Sequence, residues 1–157
     1  MRDWTNATLD DIIDFAVRIE EESHAFYVEA ARSHADTAAP EVVKLFKILA
    51  LEEQNHKDIL LRKRGHWRTK GVPHAEVGEN VQRIVDLPVV PAGAGLGDVL
   101  LAAAARERGT AALYRSLMAL SDFGDLQEVF SELVAQETGH ERRLMAFHQS
   151  MYPVSKE

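Results

Sequence analysis

The 157-residue sequence contains no cysteine. Disulfides, iron–sulfur clusters, thiolate zinc sites and a cysteine nucleophile are thereby excluded. Proline is scarce, with five residues. Only Pro40 falls within a helical pattern, in a first turn where its missing N–H costs nothing. Long apolar runs are absent: the longest, Val99 to Ala105, is far short of the ~20 residues a membrane span requires. The opening Met1-Arg-Asp-Trp-Thr-Asn has no apolar segment of a secretory signal. Positive charge is also in deficit, 18 Lys and Arg against 25 Asp and Glu, for a net charge of −7. That balance argues against a nucleic-acid partner. The expectation is a cytoplasmic protein with neither membrane nor nucleic acid as partner.

What is present is a chain 46% hydrophobic, suited to one domain over residues 1–157 with its own core. No stretch alternates as a strand does. Four stretches carry helical periodicity, over about 9–33, 40–64, 98–120 and 125–151. Thr8 is a candidate N-cap for the first, with Asp10 and Asp11 in its first turn. Lys63 and Arg64 suit the end of the second, with Gly65 as its stop. Asp98 is a candidate cap for the third, Ser121 to Gly124 a tight turn, and Pro153 closes the fourth. Residues 65–97 hold three prolines and six glycines and read as a long crossover, with a short helix expected over 75–86. Two helix pairs, 9–64 and 98–151, joined by one long crossover describe an all-α, ferritin-like four-helix bundle.

The second half repeats the first. Phe46-x2-Leu49-x3-Glu53-x2-His56-x3-Leu60 recurs as Phe130-x2-Leu133-x3-Glu137-x2-His140-x3-Leu144, identical at all five positions. Glu20-x4-Ala25-x-Tyr27 recurs as Glu107-x4-Ala112-x-Tyr114. Such duplication makes a pseudo-twofold bundle whose equivalent residues face one centre. Residues three and four apart share a helix face, so each Glu-x-x-His sets a carboxylate and an imidazole within a leucine stripe. Were these stripes solvated instead, Leu49, Leu60, Leu133 and Leu144 would be exposed with them.

With all four seams inward, four carboxylates and two imidazoles meet in the interior. Unpaired, each buried carboxylate costs several kcal/mol. Two divalent cations cancel the four negative charges, and this donor set suits iron, with manganese or zinc as alternatives. A single Glu-x-x-His would mean little: about 0.7 are expected by chance from 15 glutamates and seven histidines. A third, Glu21-x-x-His24, lies outside the repeat, and His24 reads as a hydrogen-bonded flank residue. His34, His66, His74 and His148 have no partner pattern and read as surface residues. Gly109 and Gly139 read as points of close packing. Trp4 and Trp67 fall outside the repeat, where a subunit interface would use them.

Over about residues 9–150 the sequence resembles the rubrerythrin-like branch of the ferritin-like superfamily. The resemblance implies that Glu53 and Glu137 bridge two iron ions. It makes Glu20 and Glu107 terminal ligands and gives one metal each to His56 and His140. Tyr27 and Tyr114 would hydrogen-bond the bridging carboxylates. The implied activity is a di-iron oxidoreductase that reduces hydrogen peroxide or uses dioxygen, in a homodimer whose crossover permits helix exchange. Rubrerythrins proper add a rubredoxin domain with four cysteines. None exists here, so electrons would come from a separate donor, a rubredoxin-like protein or reductase. They also carry a further carboxylate one turn away on the third helix, where this chain has Ala104 and Thr110. The same ligands would serve a ferroxidase, an iron-handling protein or a metal-binding structural or sensory module.

Overall fold

The computed structural model describes residues 7–64, 75–87, 89–120 and 124–155. Among them are five helices and no strand: α1 (Leu9–Ser33), α2 (Pro40–Lys63), α3 (Ala75–Val85), α4 (Leu96–Leu120) and α5 (Gly124–Met151). Gly65, His66, Trp67, His74, Trp4 and residues 121–123 of the expected turn lie outside the described residues.

Local chemistry sets the helix ends. The Thr8 hydroxyl accepts from the Asp11 amide at 3.2 Å, and the Asp11 carboxylate accepts from the Thr8 amide at 2.9 Å. This reciprocal pair satisfies two donors that a helix start leaves orphaned. α2 has no side-chain cap and begins on Pro40, whose fixed φ suits a first turn. The third long helix starts earlier than expected. It begins at Leu96, so Asp98 is not its cap; it lies in the first turn, where its charge meets the positive helix end.

α1 pairs chiefly with α2, and α4 with α5. Direction follows from the contacts. Tyr27 reaches Glu107 while Tyr114 reaches Glu20, so α1 and α4 run antiparallel. Arg143 reaches Glu52 while His56 reaches Gln136, so α2 and α5 do too. Every neighbouring pair is thus antiparallel, and the crossover must carry the chain from the end of α2 back along the bundle to the start of α4. α3 lies in it and packs against α4: the Asn80 amide donates to the Ala112 carbonyl at 3.3 Å and to Ser116 Oγ at 2.5 Å. The expected short helix is therefore present.

The interior has two apolar clusters. One joins the first half of α1 to Leu60, α3, the end of α4 and Phe130 with Leu133. The other joins Tyr27 and the end of α1 to the start of α2, the start of α4 and Leu144. Each holds one of the repeated Tyr–Phe pairs, Tyr114 on Phe130 and Tyr27 on Phe46, with ring centroids 6.2 Å apart in both. Between the clusters lies a polar layer. No helix among the described residues is long and apolar enough to cross a membrane.

The two glycines inside the ligand-bearing helices of the second half behave differently. A Cβ on Gly109 would meet Ile84 Cγ1 at 3.1 Å, so this glycine does permit close approach of α3. A Cβ on Gly139 would meet nothing within 4 Å, which corrects the expectation of close packing there. Helical glycine costs about 1 kcal/mol against alanine. Gly139→Ala is therefore expected to raise the melting temperature by about 2–4 °C. Gly109→Ala, which must displace Ile84, is expected to lower it. Thermal melts of the two variants check both signs, and a lower melting temperature for Gly139→Ala would reveal a neighbour unaccounted for.

Candidate metal centre

The polar layer is built from six side chains on four helices. Glu20 (α1), Glu53 and His56 (α2), Glu107 (α4), and Glu137 and His140 (α5) are all at most 2% exposed. Helical repetition explains the placement. Leu49 and Leu60 flank Glu53 and His56 on one stripe of α2, and burying those leucines carries the polar pair inward. Leu133 and Leu144 do the same for Glu137 and His140 on α5.

The six residues form two groups. Glu20, Glu53, His56 and Glu137 offer ligand atoms all within 4.8 Å of one another, and so do Glu53, Glu107, Glu137 and His140. Glu53 and Glu137 belong to both. His56 Nδ1 lies 2.9 Å from Glu137 and 3.6 Å from Glu20. His140 Nδ1 lies 3.0 Å from Glu53 and 3.3 Å from Glu107 and Glu137. The imidazoles stack, centroids 5.5 Å apart.

Tyr27 and Tyr114 hydrogen-bond different carboxylates from those expected. Tyr27 donates to Glu107 and Tyr114 to Glu20, so they hold the outer glutamates of the opposite half, not Glu53 and Glu137. The reason is register. A residue seven places after Glu20 lies two turns further along α1, and the antiparallel α4 brings Glu107 to that level. Burial, then the neighbouring Glu107 or Glu20 charge, raises each phenol well above its usual value, so both remain protonated donors.

Burial shapes the other ionisations. Glu53 is raised by burial and by the charges of Glu137 and Glu107. Glu137 is pushed up to about 8 by burial and by Glu107 and Glu20. Burial would lower both imidazoles, but the carboxylates in close contact with them win, raising His56 to about 11 and His140 to about 12. Burial would likewise raise Glu107, yet the adjoining Glu137 and His140 hold it below the usual carboxylate value.

The donor chemistry fits a pair of divalent cations. Glu20 Oε2, Glu53 Oε1, His56 Nδ1 and both Glu137 oxygens are buried without an aligned hydrogen-bond partner. Native interiors rarely leave several such atoms orphaned in one place. Carboxylate oxygen with neutral imidazole suits iron or manganese, and zinc also accepts it.

His24 stands apart: its Nδ1 lies 2.7 Å from the Ala50 carbonyl, and it joins neither group. Ala104 is buried, and the buried Thr110 hydroxyl donates to the Arg106 carbonyl, so neither flanking turn of α4 brings another carboxylate. His34 and His148 are half-buried, against the expectation of surface residues: His34 Nδ1 lies 3.1 Å from the Ala30 carbonyl, and the His148 ring lies tilted against Tyr152 with centroids 5.1 Å apart.

Two residues in this layer were not anticipated from the sequence. Glu52 Oε2 lies 2.8 Å from His140 Nε2, and Gln136 Oε1 lies 2.6 Å from His56 Nε2. Each immediately precedes a glutamate of the repeated Glu-x-x-His, at equivalent places in the two halves. That adjacency was the available signal.

Neither the curated proteins nor the solved structures compared with the chain yield a match. The Rubrerythrin family model matches residues 11–83, which include Glu20, Tyr27, Glu53 and His56. The internal repeat carries the same residue types into the second helix pair, and over residues 11–83 the chain is similar to the rubrerythrin family, of the ferritin-like di-iron kind.

Proposed function

We propose that the protein is a non-haem di-iron oxidoreductase that reduces hydrogen peroxide, or uses dioxygen, with electrons from a separate donor. One observation carries the reading: two buried four-residue donor groups that share Glu53 and Glu137. In it, Glu20 and His56 hold one iron, Glu107 and His140 the other, and Glu53 and Glu137 reach both. When bound, the two ferrous ions would supply Lewis acidity and one electron each, so that peroxide and two protons become two waters.

The chain's own residues do the rest. The Tyr27 and Tyr114 hydroxyls tie one oxygen each of Glu107 and Glu20, leaving the other oxygen to face the cluster. The apolar clusters above and below keep bulk water from the layer. Dryness strengthens every charge interaction inside. With no cysteine in the chain to form a rubredoxin-type centre, a rubredoxin-like protein or a reductase would return the electrons. A cytoplasmic homodimer is part of the same proposal.

The test is anaerobic loading with Fe(II), then rapid mixing with peroxide or dioxygen while ferric absorbance and iron consumed are followed. The expected result is fast oxidation by peroxide that stops at two irons per chain. Oxidation by dioxygen running past two irons per chain would replace this reading with iron handling, Fe(II) being the substrate. Bound iron that neither oxidant touches would leave a structural or sensory metal module.

A further inference from the structure

The two halves of the centre match in their ligands but differ in what holds the histidines from outside. Both imidazoles turn Nδ1 toward the carboxylates and Nε2 outward. On one side His140 Nε2 meets Glu52 Oε2 at 2.8 Å, and Arg143 donates to that same oxygen at 2.8 Å. On the other, His56 Nε2 meets Gln136 Oε1 at 2.6 Å, and Gln136 Nε2 donates to Glu132 at 3.1 Å. Positions 52 and 136 are equivalents under the repeat, so the duplication has diverged here into a carboxylate and an amide. Their supports diverged with them: Ile59 stands where the second half has Arg143, and Ile48 where it has Glu132.

We infer that Glu52 and Gln136 are positioning residues that make the two metal positions unequal, the His140 position being the tighter and the first to fill. The inference rests on the di-metal reading of the site. An imidazole N–H donating to a carboxylate transfers more electron density to its other nitrogen than one donating to an amide. Nδ1 of His140 is then the stronger donor toward a cation. Outer partners of this kind change metal affinity by about 10–100-fold. Arg143 withdraws part of the Glu52 charge, and the Glu52 side chain is 38% exposed, so water screens it further. Both effects place the difference near the lower end, about tenfold. The Gln136 amide also fixes the His56 ring, but as a neutral acceptor it adds orientation without charge.

Two substitutions separate this from a purely structural role because they act in opposite directions. Glu52→Gln keeps shape and hydrogen bond but removes the charge, which should bring the two positions to nearly equal affinity. Arg143→Gln frees the Glu52 carboxylate from its cation, which should widen the difference. The measurement is anomalous diffraction from crystals of the full chain given one equivalent of Mn(II), comparing occupancy at the two positions. At one equivalent, a roughly tenfold difference in affinity between independent positions is expected to place about three times more manganese beside His140 than beside His56 in the wild type. That ratio should fall toward one in Glu52→Gln and rise in Arg143→Gln. Equal occupancies in the wild type, or a ratio indifferent to Glu52→Gln, would overturn the inference while leaving the di-metal reading intact. No manganese at either position in the wild type would overturn both.

Discussion

Replacing Glu53 by alanine is expected to abolish retention of both metal ions, whereas replacing Glu20 is expected to abolish one. Glu53 lies in both four-residue groups, so its loss removes a donor from each. It also leaves three carboxylates against the four positive charges of two divalent ions. Glu20 belongs to one group only. Since outer partners alone are worth about 10–100-fold in affinity, loss of a direct ligand should exceed about 100-fold at every position it serves. Equilibrium dialysis at low micromolar Fe(II) or Mn(II) should find two ions per wild-type chain, one in Glu20→Ala and none in Glu53→Ala. Glu137→Ala should behave like Glu53→Ala, and Glu107→Ala like Glu20→Ala. Two ions retained by Glu53→Ala would remove the shared role of that carboxylate.

Metal removal is expected to be the largest perturbation of stability, and to depend on pH with a definite sign. In the metal-free fold Glu137 is raised from 4.5 to about 8, and His56 and His140 from 6.5 to about 11 and about 12. A group raised in the folded state stabilises the fold while it is protonated there. That contribution is full below the ordinary value and lost as pH climbs to the folded one. For Glu137 the window runs from 4.5 to about 8, and for the imidazoles it opens at 6.5 and closes near 11 to 12. Glu107, lowered in the fold, acts oppositely but only below the usual carboxylate range.

The metal-free protein should therefore melt at progressively lower temperature from pH 5 to pH 9. Cations replace the protons that those groups would hold, so the stabilisation by metal should be larger at pH 8 than at pH 6. With free metal at ~1,000 times the dissociation constant, each position contributes about 4 kcal/mol. For a chain of this size that is about 8–16 °C per position. Calorimetry of metal-free and loaded protein at the two pH values checks both size and sign. A melting temperature indifferent to metal, or a gain that shrinks as pH rises, would contradict a buried site with raised pKa values.

Legibility of the site tracked the duplication. A pair of glutamate and histidine three apart is common, but its recurrence within the same leucine stripe located Glu53, His56, Glu137 and His140, and α2 and α5 bring all four together. Glu20 had Glu21 and Glu22 as neighbours and competitors. Matching it to Glu107 through the repeat selects Glu20, which is buried, while Glu21 and Glu22 are exposed and pair with Lys57 and Arg106.

What was not legible depended on register between helices. Spacing along α1 says which residues share a face with Glu20, but not which level of α4 stands opposite, so the partners of Tyr27 and Tyr114 were assigned to the wrong carboxylates. Glu52 and Gln136 sit beside the repeated glutamates, one turned partly to solvent, and nothing in their periodicity marks them as reaching an imidazole on another helix. Glycine inside a helix suggests a close contact at Gly139, whereas the space beside it is open.

The measurement that tests the central claim most directly is diffraction at the iron absorption edge from crystals loaded anaerobically with Fe(II). Two anomalous peaks are expected within the polar layer, one against Glu20 and His56 and one against Glu107 and His140, with Glu53 and Glu137 reaching both. A single peak, iron bound only at the surface, or a layer that excludes iron would contradict the di-metal centre.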